Sequence, residues 1–312
     1  MATGAVPLRQ RFEPAHLGLL LLIQTVWGVN WITSKLAVDA FHPLLMVALR
    51  FGITFLFVVP FLRWHPGQMR NLMIGSLLTG PLSFATGFIS LSMATDIAPL
   101  AVASNLGVPF ATLLSALFLG DKIGLWRGTA LVLAFGGVLF MGFDPAVFAQ
   151  GTALALQAAS AFFWAAAAIF LRKVQGVAAL ETQAWVALCT WPVLALGSMA
   201  FETDPGGAVL QASWAGWASL AVVIFGATLF GHSGFFWLLR RYPIPLLAPF
   251  LLLAPIIGAL SGALAFGNAI TWRMVLGGLL TLSGVLIITI REGRRRTPVA
   301  VELVESPAGT PP

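Results

Sequence analysis

The stretch LGLLLLIQTVWGVNWITSKLAV, Leu17 to Val38, is apolar along most of its length but contains an asparagine and a lysine. As an α-helix it would extend about 33 Å, enough to cross the roughly 30 Å hydrocarbon core of a bilayer. The stretch therefore predicts a membrane-spanning helix. Asn30 and Lys35 need a separate reason, because polar side chains inside a membrane are costly and usually functional.

Composition extends this prediction to the whole chain. Of its 312 residues, 59% are hydrophobic and 9% are charged, and the mean hydropathy is +0.93. An average soluble domain carries about 25% charged residues. The sequence predicts an all-α, polytopic membrane protein with ten transmembrane helices. These spans are expected at residues 17–38, 44–62, 71–94, 98–119, 124–143, 150–171, 181–201, 214–239, 244–266 and 272–290.

The charges predict an orientation. Lys and Arg concentrate in cytoplasmic segments of membrane proteins. With the N-terminus inside, 14 of the 17 Lys and Arg residues fall on the cytoplasmic side, and the exceptions are Lys35, Arg50 and Arg273. We expect a multi-pass protein of the cell (plasma or inner) membrane with both termini in the cytoplasm. Residues 1–16 would form a cytoplasmic segment before an uncleaved first span, and residues 291–312 a basic, then disordered, cytoplasmic tail.

Cysteine content and charge argue against several other classes of protein. The single cysteine, Cys189, lies in an apolar run, so neither a disulfide framework nor a thiolate metal site can form. The net charge of +6 resides at span ends, which fits membrane orientation rather than nucleic-acid binding. We expect no cofactor and no metal. The expected partners are the lipid bilayer and a small-molecule substrate, with a monomer or a homodimer as the assembly.

Two halves of the chain repeat one pattern. Pro99 and Pro109 recur as Pro245 and Pro255 at an offset of 146, and the run Gly137–Leu139 recurs at 147. The predicted units are residues 17–143 and 150–290, with five spans each. An odd number of spans inverts the second unit in the bilayer, and inverted repeats are typical of secondary transporters that hold substrate near the midplane.

Two motifs resemble a known family. They are WGVNWITSKLAVDAFHPLLMVALRF, Trp27 to Phe51, and ALFLGDKIGLWRGTALVLAFGGVLF, Ala116 to Phe140. Both are similar to motifs of the EamA-type branch of the drug/metabolite transporter (DMT) superfamily. The resemblance implies a ten-helix exporter or permease of small metabolites. It departs at the family's frequent Glu after Gly, which is Asp121 in the first half and Asn268 in the second, and this favours a cap or loop role there.

Polar and aromatic side chains inside the spans are the candidate substrate-binding residues. They are Trp27, Asn30, Trp31, Ser34, Lys35, Arg50, Asn105, Gln157, Trp164 and His232. Arg50 could bind a carboxylate or phosphate, or instead bond backbone carbonyls or hold two helices together. The amides could bind substrate or join helices. His232 could exchange protons or rest neutral against a carbonyl. Lys35 could reach the outer interface and act as an outer gate.

The sequence thus predicts a secondary transporter that works by alternating access, with substrate among spans 1, 2, 4, 6 and 8. Bends are expected at Pro81, Pro99, Pro109, Pro245 and Pro255. Arg50 and the amides favour an amino acid or a similar polar metabolite. A lipophilic drug or cation, and a non-transporting sensor or assembly subunit, are the alternatives. An enzyme is not expected, because the GHSG sequence at Gly231–Gly234 has no second histidine at its depth to form a catalytic dyad.

Overall fold

Ten apolar helices make up the computed structural model, which describes residues 12–121, 123–239 and 241–295. This confirms the predicted all-α polytopic fold. The ten spans, here α1 to α10, are Pro14–Phe41, Pro43–Phe61, Met69–Met93, Ala98–Phe118, Leu125–Gly142, Gly151–Leu171, Ala179–Phe201, Trp214–Leu239, Leu246–Phe266 and Trp272–Arg291. Two short helices, Pro145–Phe148 and Pro205–Gln211, lie in the connections after α5 and α7.

The termini are described in part. Helix α1 begins at Pro14, three residues before the predicted start, and the last helix continues past its apolar portion to Arg295. Residues 1–11 and 296–312 lie outside the described residues, and so does most of the predicted tail.

The outer surface of the bundle is apolar. Leu125, Phe201 and Leu264 are each more than 80% exposed, at 83%, 85% and 87%. Isolated exposed leucines are common on soluble proteins, but a surface made largely of such residues suits contact with lipid. The helices therefore present to a bilayer the side chains that a hydrocarbon core accepts.

Helices pack most closely in a few pairs. Helix α2 packs against α7, α5 against α10, α1 against α8 and α9, and α6 against α3 and α4. Glycines allow the closest crossings, as small residues commonly do in membranes. A Cβ atom at Gly137 would overlap Gly277 and Thr281, and one at Gly284 would overlap the backbone of α5.

Four of the helices are irregular at mid-length. Helix α4 passes through a 3₁₀ turn at Ser104–Leu106, just before Pro109, and α9 is interrupted at Leu252, just before Pro255. Proline has no N–H for the carbonyl four residues earlier, which explains both interruptions. Helices α3 and α8 contain π-helical segments at Leu78–Phe84 and Val222–Gly231. Pro81 accounts for the first segment, whereas the second contains no proline and was not predicted.

Candidate functional site

A cavity of about 470 Å³ lies at the centre of the bundle, between helices α1, α2, α3, α4, α6 and α8. Nine of the ten predicted site residues line it. They are Trp27, Asn30, Trp31, Ser34, Arg50, Asn105, Gln157, Trp164 and His232. The volume falls within the range of about 300–1,000 Å³ that is typical of small-molecule sites.

Helix α1 contributes one continuous wall. Trp27, Asn30, Trp31 and Ser34 line the cavity together because they share a face at helical spacing. Glycines of other helices make room for the two rings. A Cβ atom at Gly231 of α8 would overlap the Trp27 ring, and one at Gly258 of α9 would lie 2.7 Å from Trp31. Trp27 Nε1 also donates a hydrogen bond of 3.1 Å to a carbonyl of the π-helical segment of α8, that of Ala227.

Arg50 places a permanent positive charge in the cavity wall. The residue is only 5% exposed, and its Nη2 donates to Thr228 Oγ1 at 2.9 Å. Its guanidinium carbon lies 4.9 Å from the ring centroid of Phe84 and 5.8 Å from that of Phe88. In the part of the chain that the structure describes, no carboxylate lies within the 4.0 Å of an ion pair with Arg50. A hydroxyl and aromatic faces thus surround the cation.

His232 and Arg50 both form a hydrogen bond with Thr228. The Nδ1 of His232 is 3.1 Å from the backbone oxygen of Thr228, the residue whose hydroxyl accepts from Arg50. The contact with a carbonyl is the one expected for a resting neutral histidine. The ring is also exposed within the cavity, and its centroid lies 5.5 Å from that of Trp27.

The amide side chains divide between structural contacts and free polar atoms. Asn105 Nδ2 donates to the carbonyl of Ala101 at 3.0 Å, within the irregular part of α4. Asn30 Oδ1 and Ser34 Oγ are buried and have no hydrogen-bond partner among the described residues. Such atoms usually find a partner in protein, water or ligand. The cavity wall therefore holds hydrogen-bonding capacity that the protein itself does not use.

Lys35 is the predicted site residue that lies outside the cavity. Its Nζ forms an ion pair of 2.8 Å with Asp39 and donates to the carbonyl of Ser92 at 3.3 Å. Asp39 lies one helical turn further along α1, so it neutralises the lysine and draws it beyond Ser34. The residue joins α1 to α3 at the end of the cavity rather than lining it, and a part in substrate binding stays a prediction.

The cavity is open at one end. Ser34 and Leu91, at the end near Lys35, are each 3% exposed. His232 is exposed and Trp164 is 50% exposed, and both lie nearer the end of the bundle where α1 begins. The cavity therefore opens toward the side that the charge distribution assigns to the cytoplasm.

Helix α3 supplies cavity residues that the sequence analysis missed. They are Ser83, Phe84, Gly87, Phe88 and Leu91. Ser83 and Ser160 of α6 bond each other's backbone, at 2.9 Å and 2.8 Å, and so fix these two walls together. The signal was present in the sequence, since Ser83 and Phe84 lie two and three residues after Pro81 in a span that contains Gly80 and Gly87.

Ten apolar helices with a polar and aromatic cavity between them define a multi-pass membrane protein that encloses a cavity of small-molecule size. Comparison with known proteins gives its class. The chain belongs to the EamA-like transporter family, whose family model matches residues 16–143 and 151–290. It is a membrane transporter, and the resemblance to the drug/metabolite transporter superfamily is confirmed.

Individual relatives agree with this membership. The chain is 27% identical to a probable amino-acid metabolite efflux pump of Escherichia coli, over 86% of this chain and 93% of that protein. It is 29% identical to a riboflavin transporter of Rhizobium johnstonii, over 85% of this chain and 86% of the relative. A crystal structure with 20% sequence identity aligns with a TM-score of 0.57 and covers 89% of this chain and 99% of that one. That likeness shows the fold.

Proposed function

We propose that this transporter exports small polar metabolites, amino acids above all, and that Arg50 binds the substrate carboxylate. The observation that carries the proposal is the buried guanidinium in the cavity wall, which has no carboxylate partner among the described residues. Removing a charge from water costs several kcal/mol unless an opposite charge compensates it. A substrate carboxylate would supply that charge.

The geometry around Arg50 favours a carboxylate ligand. Its Nη2 is bonded to Thr228, whereas its Nε is buried without a partner. A guanidinium offers five N–H donors in a planar fork that matches the two oxygens of a carboxylate. The aromatic rings of the cavity suit the apolar part of the same molecule. These rings belong to Trp27, Trp31, Phe84, Phe88 and Trp164.

Alternating access is the mechanism that we propose. The Lys35 contacts with Asp39 and Ser92 close the end that is predicted to face outward, while the cavity opens at the other end. Separation of α1 from α3 at the Lys35–Ser92 contact would expose the site to the outer side. Lys35 would then act as an outer gate rather than as a substrate ligand.

The relatives support the direction and the cargo. The name of the Escherichia coli relative describes efflux of amino-acid metabolites, and a cavity open toward the cytoplasm is the loading state of an exporter. We place the protein in the inner membrane with both termini in the cytoplasm. The lipophilic-cation alternative is weaker, because the described cavity lining contains Arg50 and no Asp or Glu.

Ligand-induced thermal stabilisation of the purified protein tests the cargo. The panel comprises L-amino acids, riboflavin and the lipophilic cation tetraphenylphosphonium. A ligand at 100 times its Kd stabilises the folded state by about 2.7 kcal/mol, so it raises Tm. We expect L-amino acids to raise Tm and Arg50→Gln to abolish the rise. Arg273→Gln, which removes a partly exposed charge outside the cavity, should preserve it. Stabilisation by the cation alone, or an unchanged response of Arg50→Gln, would contradict the proposal.

A further inference from the structure

One ring nitrogen of His232 is already committed to the protein. A backbone carbonyl can only accept a hydrogen bond, so the 3.1 Å contact with the Thr228 oxygen makes Nδ1 the donor. In the neutral ring the other nitrogen, Nε2, then carries a lone pair and can only accept. Because the ring is exposed within the cavity, this acceptor is available to a ligand.

Thr228 places this acceptor beside the anion-binding group. Its hydroxyl accepts from Arg50 Nη2 at 2.9 Å, and its backbone oxygen accepts from His232. The side chains of Arg50 and His232 thus both bond Thr228 and lie close together. Toward a ligand, the guanidinium is a hydrogen-bond donor and His232 Nε2 is an acceptor. An α-amino acid carries a carboxylate and an ammonium group on one carbon, with the complementary polarity.

We propose that His232 Nε2 accepts a hydrogen bond from the amino group of the substrate whose carboxylate binds Arg50. This assignment rests on the proposed function and makes His232 the residue that distinguishes an amino acid from a plain carboxylic acid. The Trp27 ring, centred 5.5 Å from the His232 ring, lies close enough to contact the same ammonium group.

The arrangement makes a proton compete with the substrate. Histidine is the side chain that changes charge near neutral pH, and protonation converts Nε2 from an acceptor into a donor. Among the described residues that line the cavity, the ionisable side chains are Arg50 and His232. Helix α1 packs against this part of α8, and its side chains in the cavity are uncharged: Trp27, Asn30, Trp31 and Ser34. With no carboxylate to offset it, a protonated His232 repels the ammonium. An amino acid would therefore leave toward the more acidic side in exchange for a proton.

The test compares two probes that differ in the amino group alone. L-Leucine and 4-methylpentanoate share a carboxylate and an apolar chain, but only leucine carries the ammonium. Binding of each to the purified full-length transporter is measured at about pH 8 and about pH 5, and the affinity is expressed per ionised carboxylate because 4-methylpentanoate is partly protonated at the lower pH. A hydrogen bond to a charged group is worth roughly 10- to 100-fold in affinity. The wild-type protein should prefer leucine by about that ratio at the higher pH and lose the preference at the lower one.

Variants separate recognition from folding. His232→Leu should abolish the preference for leucine at both pH values. His232→Gln, which offers an acceptor oxygen that cannot take up the proton, should retain the preference at both. His65→Gln is the matched control, because this histidine lies outside the cavity, 3.1 Å from Glu181, and should behave like the wild type. Size-exclusion profiles verify that each variant is folded.

The outcomes distinguish this inference from the proposed function. If His232→Leu weakens binding of both probes equally, or if the wild-type preference does not change with pH, the amino-group assignment is wrong while Arg50 can still bind the carboxylate. If the wild-type protein binds neither probe, or if Arg50→Gln binds both as the wild type does, the proposed function fails and the inference fails with it.

Discussion

At the scale of single residues, the environment of Arg50 differs from that of a structural arginine. Phe51, Phe84 and Phe88 present their rings within 4.9–5.8 Å of its guanidinium carbon, and one hydroxyl accepts from it. Aromatic faces attract a cation but do not neutralise it. The environment therefore tolerates the charge without neutralising it, so the guanidinium can attract an anion.

Asp96 permits a test at the same scale outside the spans. It lies in the connection between α3 and α4, is 7% exposed, and accepts a hydrogen bond of 2.9 Å from the backbone N–H of Ala98. Burial raises the pKa of its carboxyl above the ordinary value, and this desolvation outweighs the bonds from Ala98 and Asn268. The folded state thus favours the protonated carboxyl. This preference stabilises the folded state at pH values below the ordinary pKa of the carboxyl. The stabilisation is lost as the pH rises through the pKa that the carboxyl has in the folded protein.

We predict that Asp96→Asn raises Tm at about pH 8 and has little effect near pH 4. Asparagine keeps the oxygen that accepts from Ala98 but cannot ionise. Thermal unfolding of both proteins across this pH range measures the difference. A lower Tm of the variant at about pH 8 would contradict the prediction, because it would show that the ionised carboxylate stabilises the fold.

Residue patterns predicted the α1 wall of the cavity but not the α3 wall. Trp27, Asn30, Trp31 and Ser34 are polar or aromatic at helical spacing in an otherwise apolar span, so their shared face follows from periodicity. On α3, the π-helical segment at Leu78–Phe84 adds a residue to the turn and rotates the following side chains relative to regular periodicity. Periodicity did not predict the contacts of Lys35, because they depend on its ion pair with Asp39 rather than on its helical face.

At the scale of elements, irregular helices shape the cavity. In the π-helical segment of α8, the Thr228 hydroxyl donates to the carbonyl of Val223 at 2.9 Å, and Trp27 donates to that of Ala227 at 3.1 Å. Side chains thus bond carbonyls that regular helical bonding does not fully satisfy. Proline marks three of the four irregular helices, so the sequence could predict those, whereas the π-helical segment of α8 contains no proline and has no such signal.

Two adjacent glycines of α5 provide a matched test of packing between elements. A Cβ atom at Gly137 would overlap Gly277 and Thr281 of α10, whereas one at Gly136 would meet nothing within 4 Å. Overpacking a close contact costs about 1–3 kcal/mol. We predict that Gly137→Ala lowers Tm and that Gly136→Ala does not, as measured by thermal unfolding in detergent. Equal effects of the two substitutions would refute the close α5–α10 crossing.

At the scale of the whole molecule, the α5–α10 crossing bears on the predicted inverted repeat. Gly137 approaches Gly277 and Thr281, while Gly284 approaches Ala130 and Ala134. Adding 147 to a residue number in α5 gives its counterpart in α10, so that 137 corresponds to 284 and 130 to 277. The contact between 137 and 277 therefore corresponds to the contact between 284 and 130. A twofold rotation that swaps two antiparallel helices has its axis perpendicular to both of them. Because the helices cross the membrane, that axis would lie in the membrane plane. The crossing supports an inverted arrangement, which stays a prediction for the full halves.

Orientation in the membrane is tested by cysteine labelling. The single cysteine, Cys189, is buried, so its replacement by Ser provides a background for new sites. Thr203 and Arg70 are exposed in the connection after α7 and at the start of α3. We predict that Thr203→Cys reacts with a membrane-impermeant thiol reagent in intact cells. Arg70→Cys should react only after permeabilisation, and the reverse pattern would invert the proposed topology.

Transport by reconstituted protein tests the central claim most directly. Proteoliposomes loaded with unlabelled L-leucine are supplied with labelled L-leucine outside, and exchange is measured for the wild type, Arg50→Gln, Arg50→Lys and Arg273→Gln. A lysine keeps the charge but loses the bidentate fork. We predict exchange by the wild type and by Arg273→Gln, reduced exchange by Arg50→Lys, and none by Arg50→Gln. Exchange by Arg50→Gln at the wild-type rate would contradict the account, because the carboxylate would then have its binding partner elsewhere.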